Sequence, residues 1–282
     1  MTARPIILVP PSEGKATAGE GPAWRPGTSR FSELDAARER VAASLVRAMR
    51  GGRDRRKALL GVSGDALEHA TTANRTVRES ATMPAIDRYT GVLYGALDHR
   101  AMPRRSQSRA ADQLVVFSGL WGLLSPIDPI PDYKLKMGAS LAGLGKLSTW
   151  WRPWLTDALA AVTEGRVVWD LLPNEHAAAW APDDARLASR IHVRFVDRSV
   201  TDGVERLVVV SHWNKLLKGA LVRHVLATQL DDPSGLEAFD HPLGYRYAPS
   251  LTTRDGNRVT VSLIRGADTS QEARGEVAIG DR

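Results

Sequence analysis

The sequence predicts an α/β protein, a single domain with a central mixed sheet flanked by helices. Three observations carry this. Short apolar runs at 5–9, 114–117, 166–170, 191–196, 207–210 and 259–264 have strand length and are bounded by turn residues. Segments with apolar residues at helical spacing lie between them, and that alternation is the α/β pattern. The chain shows no repeat of fixed period and no linker long enough to force a second domain. Its 282 residues suit one large domain. The domain is expected over 1–265, with 266–282 as a polar, charged tail.

Each element follows from its residues. Ile6, Ile7, Leu8 and Val9 are stopped by Pro10 and Pro11, which gives a buried strand. Residues 16–30 are rich in Gly, Pro and Ala and read as loop. Leu34, Ala37, Val41, Leu45 and Met49 recur at helical spacing, so 31–49 is a helix with Ser32 as its N-cap. A second helical zone covers 83–97. The strand at 114–117 runs into a long loop punctuated by Pro126, Pro129 and Pro131. Helices follow at 150–162 and 214–230. Trp121, Trp150, Trp151 and Trp154 have a spacing consistent with core.

Composition excludes several functions. Apolar content of 43% with 25% charged residues is that of a globular protein. The absence of cysteine removes disulfides, thiolate metal sites, iron–sulfur clusters and a cysteine nucleophile. No stretch approaches the ~20 apolar residues of a membrane span. The apolar run near Met1 is too short for a secretory leader, so a cytoplasmic location without a membrane partner is expected. The formal charge of +6 fits either a polyanionic partner or simply arginine-rich composition.

The unusual residues gather after apolar runs. Val9 leads into PPSEGK at 10–15, Phe117 into SGLWG at 118–122, Trp169 into DLLPNEH at 170–176, and Val210 into SHWNK at 211–215. If these strands are parallel, their carboxyl ends share one edge, where open α/β sheets bind ligands. The candidate catalytic set is then Ser12, Glu13, Lys15, Ser118, Asp170, Glu175, His176, His212 and Lys215. Taken singly, a Ser or Asp after a strand is a turn former or helix cap. SEGK lacks the spacing of a phosphate-binding P-loop, and SGLWG lacks the preceding Gly of a nucleophile elbow.

Four blocks resemble one family, in consistent order over roughly 5–265: PPSEGK at 10–15, MPAIDRYTG at 83–91, FSGLWGLLSPIDPIPDYKLKMG at 117–138 and SHWNKLLKG at 211–219. They are similar to the YaaA peroxide-stress proteins. The resemblance implies a compact α/β fold, a link to peroxide stress, and DNA binding through a helix-hairpin-helix element. The residues here accommodate such an element. LGVSG at 60–64 opens a helix, with Gly61 and Gly64 free to approach a phosphate. Arg53, Arg55, Arg56 and Lys57 stand just upstream to add charge. The sequence departs from the family pattern at Leu172, Pro173, His176 and Lys134, which suggests a retuned ligand edge. A second reading is therefore open: a haem- or iron-dependent oxygenase acting on a small nitrogenous substrate. His212 or His176 would be the axial ligand, and Lys15, Lys215 or Arg223 would pair with the propionates.

Overall fold

The computed structural model describes residues 4–201, 204–210 and 214–266. Among them, nine strands form one mixed sheet. They are β1 (Ile6–Val9), β2 (Leu114–Ser118), β3 (Gly122–Leu124), β4 (Val167–Asp170), β5 (Ser189–Thr201), β6 (Val204–Val209), β7 (Arg246–Tyr247), β8 (Thr253–Asp255) and β9 (Arg258–Arg265). The order along the sheet is β7-β9-β5-β4-β1-β2-β3, with β6 added to β5 and β8 to β9. β1 pairs in parallel with both β2 and β4, and β4, β5 and β9 continue the parallel run. β1 is buried along its whole length, which is why it reads as an unbroken apolar run rather than an alternating one.

The expected parallel edge therefore holds for β1, β2 and β4, but not for the strand at 207–210. That strand is β6, and it runs antiparallel to β5. β5 overshoots the sheet: Asp170 at the end of β4 pairs with His192, while β5 continues to Thr201. Val196 and Asp197 pair with β6 and also with β9, so β6 takes the side of β5 that β4 occupies lower down. The chain returns along this overhang until Val210 N–H donates to Phe195 O at 2.9 Å. The hairpin thus delivers the next helix back towards the carboxyl edge.

The main helices are α1 (Asp35–Ala48), α2 (Arg53–Leu60), α3 (Gly64–Arg75), α4 (Val92–Leu97), α5 (Arg104–Gln113), α6 (Leu147–Thr163) and α7 (Asn214–Thr228). Three local expectations are corrected. Ser32 makes no side-chain cap; it opens a short 3-10 turn, Ser32–Leu34, that leads into α1. The zone at 83–97 is not one helix. Met83–Pro84 pairs with Pro129–Ile130, Ala85–Arg88 makes one turn, and α4 starts only at Val92. The break is used by the strand-end loop, where Thr90 N–H donates to Gly14 O and Ala16 N–H to Arg88 O. Trp154 is 38% exposed, whereas Trp121 and Trp151 are buried.

α5 went unpredicted because its inward residues are Ser106, Ala110 and Gln113, which give no apolar period. The buried apolar residues form one cluster from Ile6 to Leu263. Arg38 is fully buried inside it, donating to the carbonyls of Trp121 and Leu123 and pairing with Asp35 at 2.7 Å. No helix among the described residues is long and apolar enough to cross a membrane.

Candidate functional site

A cleft of about 380 Å³ opens beyond the carboxyl ends of β1 and β4. The loop after β1 contributes Ser12, Glu13 and Lys15; the start of α4 contributes Leu93 and Tyr94. Tyr133, Lys134, Leu135 and Lys136 form one wall, and Glu175, His176 and Lys215 close the other side. Six of the nine sequence candidates are thus brought together.

Lys15 and His176 are both strongly perturbed. The Lys15 ammonium donates to Ser12 O at 2.9 Å and stands 4.4 Å from the centre of the Tyr133 ring and 5.6 Å from that of Tyr89. It makes no ion pair among the described residues. Burial, with the nearby Lys134 charge, brings its pKa down to about 8. The rings beneath it are fixed by a hydroxyl relay. Tyr89 and Tyr133 share a hydrogen bond of 2.8 Å, and Tyr133 reaches Ser118 Oγ at 2.7 Å. Burial pushes the Tyr133 phenol up to about 12, so it stays protonated.

Ser118 is consequently not a surface hydroxyl. It is fully buried, accepts from the backbone N–H of Trp121 at 3.0 Å, and acts on the cleft only through Tyr133. Glu13 is held below the usual carboxylate range by its hydrogen bond from Lys134 at 3.0 Å, with Lys136 at 3.7 Å. Glu175 accepts from Gly138 N–H at 2.6 Å. Burial lowers the His176 pKa to about 4, so the imidazole is neutral at pH 7, and its Nδ1 is buried without a hydrogen-bond partner. Asp170 lies behind the cleft, 3.5 Å from Arg190 and 3.6 Å from His192.

Of the expected haem partners, one described residue is not at the cleft and one cannot be placed. Arg223 donates to the carbonyls of Leu97 and Asp98 at the end of α4 and does not line it. His212 falls outside the described residues, as does the tail from 267. Among the described residues, no group of three or more His, Cys, Asp or Glu is placed to hold a metal ion.

The glycines of the sequence blocks explain how the wall is built. A Cβ on Gly119 would stand 2.7 Å from the Lys136 carbonyl carbon, so only Gly lets the 132–137 segment lie on the turn after β2. A Cβ on Gly91 would collide with Ser12 Oγ. Arg88, also fully buried, donates to the carbonyls of Ala16, Ala18 and Ile130 and ties the strand-end loop to the same wall.

The profile described as peroxide stress protein YaaA matches residues 6–251. The chain belongs to this family. A UPF0246 protein of Streptomyces coelicolor is 36% identical over 261 residues, covering 92% of this chain and 98% of the relative. One from Corynebacterium efficiens is 35% identical over 264 residues, with 92% and 99% covered. One from Corynebacterium glutamicum is 35% identical over 220 residues, with 77% and 83% covered.

In this YaaA-family chain the candidate hairpin joins two short helices, α2 and α3. α2 ends at Leu60 and is capped by Gly61, whose φ of 66° is left-handed, and α3 begins at Gly64, with φ of 57°. The helix α3 is joined to the cleft wall. His69 Nε2 lies 2.7 Å from Asp132 Oδ2. The Asn74 amide both donates to Lys134 O and accepts from Lys134 N–H, each at 2.9 Å. Lys136 Nζ lies 3.5 Å from where a Cβ on Gly61 would stand.

The candidate set omitted Tyr133, Lys136, Asn74 and Arg88. One signal was available at 133–137. Tyr133, Leu135 and Met137 are buried, while Lys134 and Lys136 between them face the cleft, an extended alternation with cations on one side.

Proposed function

We propose that this protein binds DNA as part of a peroxide-stress response, with the hairpin at 61–64 taking a phosphate and the cleft lysines extending the contact. The single observation behind this is the attachment of α3 to the 132–136 segment at His69 and Asn74. It holds α3 against the segment carrying Lys134 and Lys136, so hairpin and wall are read as one contact surface. The chemistry is that of a phosphate site. The N–H groups at the start of α3 carry no side-chain cap from Ser63, and glycine at 61 and 64 allows close approach. Arg53, Arg55 and Lys57 are exposed on α2. Arg53 and Arg56 are shared with Glu68 at 3.9 and 4.0 Å, long surface pairings that a phosphate displaces at little cost.

Replacing Arg53, Arg55 and Arg56 together by Ala is expected to weaken duplex binding uniformly across sequences. It should also flatten the dependence of log K on log salt, by roughly 0.9 for each phosphate that the variant no longer neutralises. An unchanged salt slope would remove the hairpin from the interface. The haem- or iron-dependent oxygenase is the second reading, and what favours it is the buried, neutral and unpartnered Nδ1 of His176 beside Lys215 in the same cleft.

A further inference from the structure

We propose that Lys15 is an imine-forming nucleophile whose substrate is an aldehyde in damaged DNA, the C1′ carbonyl of a ring-opened abasic deoxyribose. This rests on the DNA-binding reading above and names the chemistry that reading lacks.

The argument begins with what surrounds the amine. Lys15 Nζ faces the cleft with a carbonyl as its hydrogen-bond acceptor and two phenol rings as its floor; among the described residues no carboxylate is within ion-pair distance, and Asp132 and Glu13 act on it only from farther away. A lysine held only to complete an ion pair would have a carboxylate within reach. The carboxylate beside it in sequence, Glu13, is instead committed to Lys134 and Lys136. Desolvation keeps the pKa near 8, so about a tenth of the molecules carry a neutral amine at pH 7. A surface lysine, with a pKa near 10.4, offers a neutral fraction more than a hundredfold smaller.

The rest of the cleft selects the carbonyl. Leu93 and Leu135 give an apolar lining, and Lys134, Lys136 and Lys215 place three cations around it, which with Lys15 outnumber the carboxylates of Glu13 and Glu175. An aldehyde flanked by phosphates fits that arrangement, and an abasic nucleotide is such a group. It also leaves the helix readily because it has no base to unstack. The route to the amine is built in, since Lys136 stands between Gly61 of the hairpin and Glu13 at the cleft. In the reaction the Nζ lone pair adds to C1′, the carbinolamine loses one water, and a C=N bond forms. Hydride from added borohydride reduces that bond to a stable secondary amine.

The test uses the full chain with a duplex oligonucleotide carrying one abasic site, in the presence of sodium borohydride. The same treatment is applied to the chain with glycolaldehyde alone. A covalent protein–DNA product whose cross-linked peptide contains Lys15 is expected. It should be lost in Lys15→Met and absent when the abasic site is a tetrahydrofuran, which has no aldehyde. Mapping the cross-link in the unsubstituted protein keeps the result independent of whether Lys15→Met folds. Duplex binding with the cross-link on another amine, or with no cross-link, would overturn the assignment of Lys15 while leaving DNA binding intact. Glycolaldehyde trapped at Lys15 with no binding or trapping of either duplex would overturn the DNA substrate and the DNA-binding reading together, leaving an amine that acts on small aldehydes.

Discussion

Gly219→Ala is expected to destabilise the protein by about 1–3 kcal/mol, the range for forcing an extra carbon into a filled interface. The sign is informative because intrinsic propensity points the other way. Gly219 sits inside α7, where Ala is the better helix former by about 1 kcal/mol. At this position, however, a Cβ would run into the Leu93 carbonyl oxygen and stand 2.8 Å from Ala96 Cβ. Both belong to α4, the helix that carries Leu93 and Tyr94 into the cleft. The obstacle is backbone, which cannot rotate aside, so α7 must lift off α4. Lys215, one turn earlier on α7, would move with it. Urea denaturation measures this directly, and a higher midpoint for the Ala variant would show that the two helices do not pack as described.

Lys15→Met is expected to have the opposite effect on stability. The folded-state pKa of about 8 lies below the ordinary value of 10.5. Between those two values the unfolded chain binds more protons than the folded one, so stability must rise as pH rises through that window. The rise is on the order of 3 kcal/mol, and at pH 7 the whole burial cost is present. Methionine fills similar space without a charge. The variant should therefore be more stable at pH 7, and its stability should no longer climb between pH 8 and 10.5. It should at the same time lose the trapped product with abasic DNA. Stability curves that rise equally in both proteins would mean that the ammonium is well solvated and that the activated-amine argument fails.

The fold was legible where one physical signal dominated. β1, β2 and β4 are short apolar runs ended by Pro, Ser or Asp, which marks them as strands; that they run parallel is only a condition of the sequence reading and is supplied by the structure. The direction of β6 was likewise not legible, because a strand of the same composition serves in either orientation. It is set by the length of β5, whose extra residues carry it beyond β4. The helical zone at 83–97 misled because Ala85, Leu93 and Leu97 are buried at nearly helical spacing although the helix stops at Tyr89.

The site was legible as a group and not in its roles. Ser12, Glu13, Lys15, Glu175, His176 and Lys215 do meet. That Ser118 and Asp170 lie behind the cleft depends on side chains distant in sequence, Tyr133 and Arg190. The tie between hairpin and cleft is less visible still. Asn74 and Lys134 are sixty residues apart and joined through backbone atoms, which leave no mark in composition or spacing.

The central claim is that hairpin and cleft form one DNA-binding surface, and lysine footprinting addresses it most directly. The protein is acetylated with a limiting reagent, with and without duplex DNA, and each lysine is quantified by mass spectrometry. Lys57 beside the hairpin and Lys134 and Lys136 in the cleft wall are expected to be protected together, over the same range of DNA concentration. Protection of none of them, or of Lys57 while Lys134 and Lys136 react as in the free protein, would contradict a single surface.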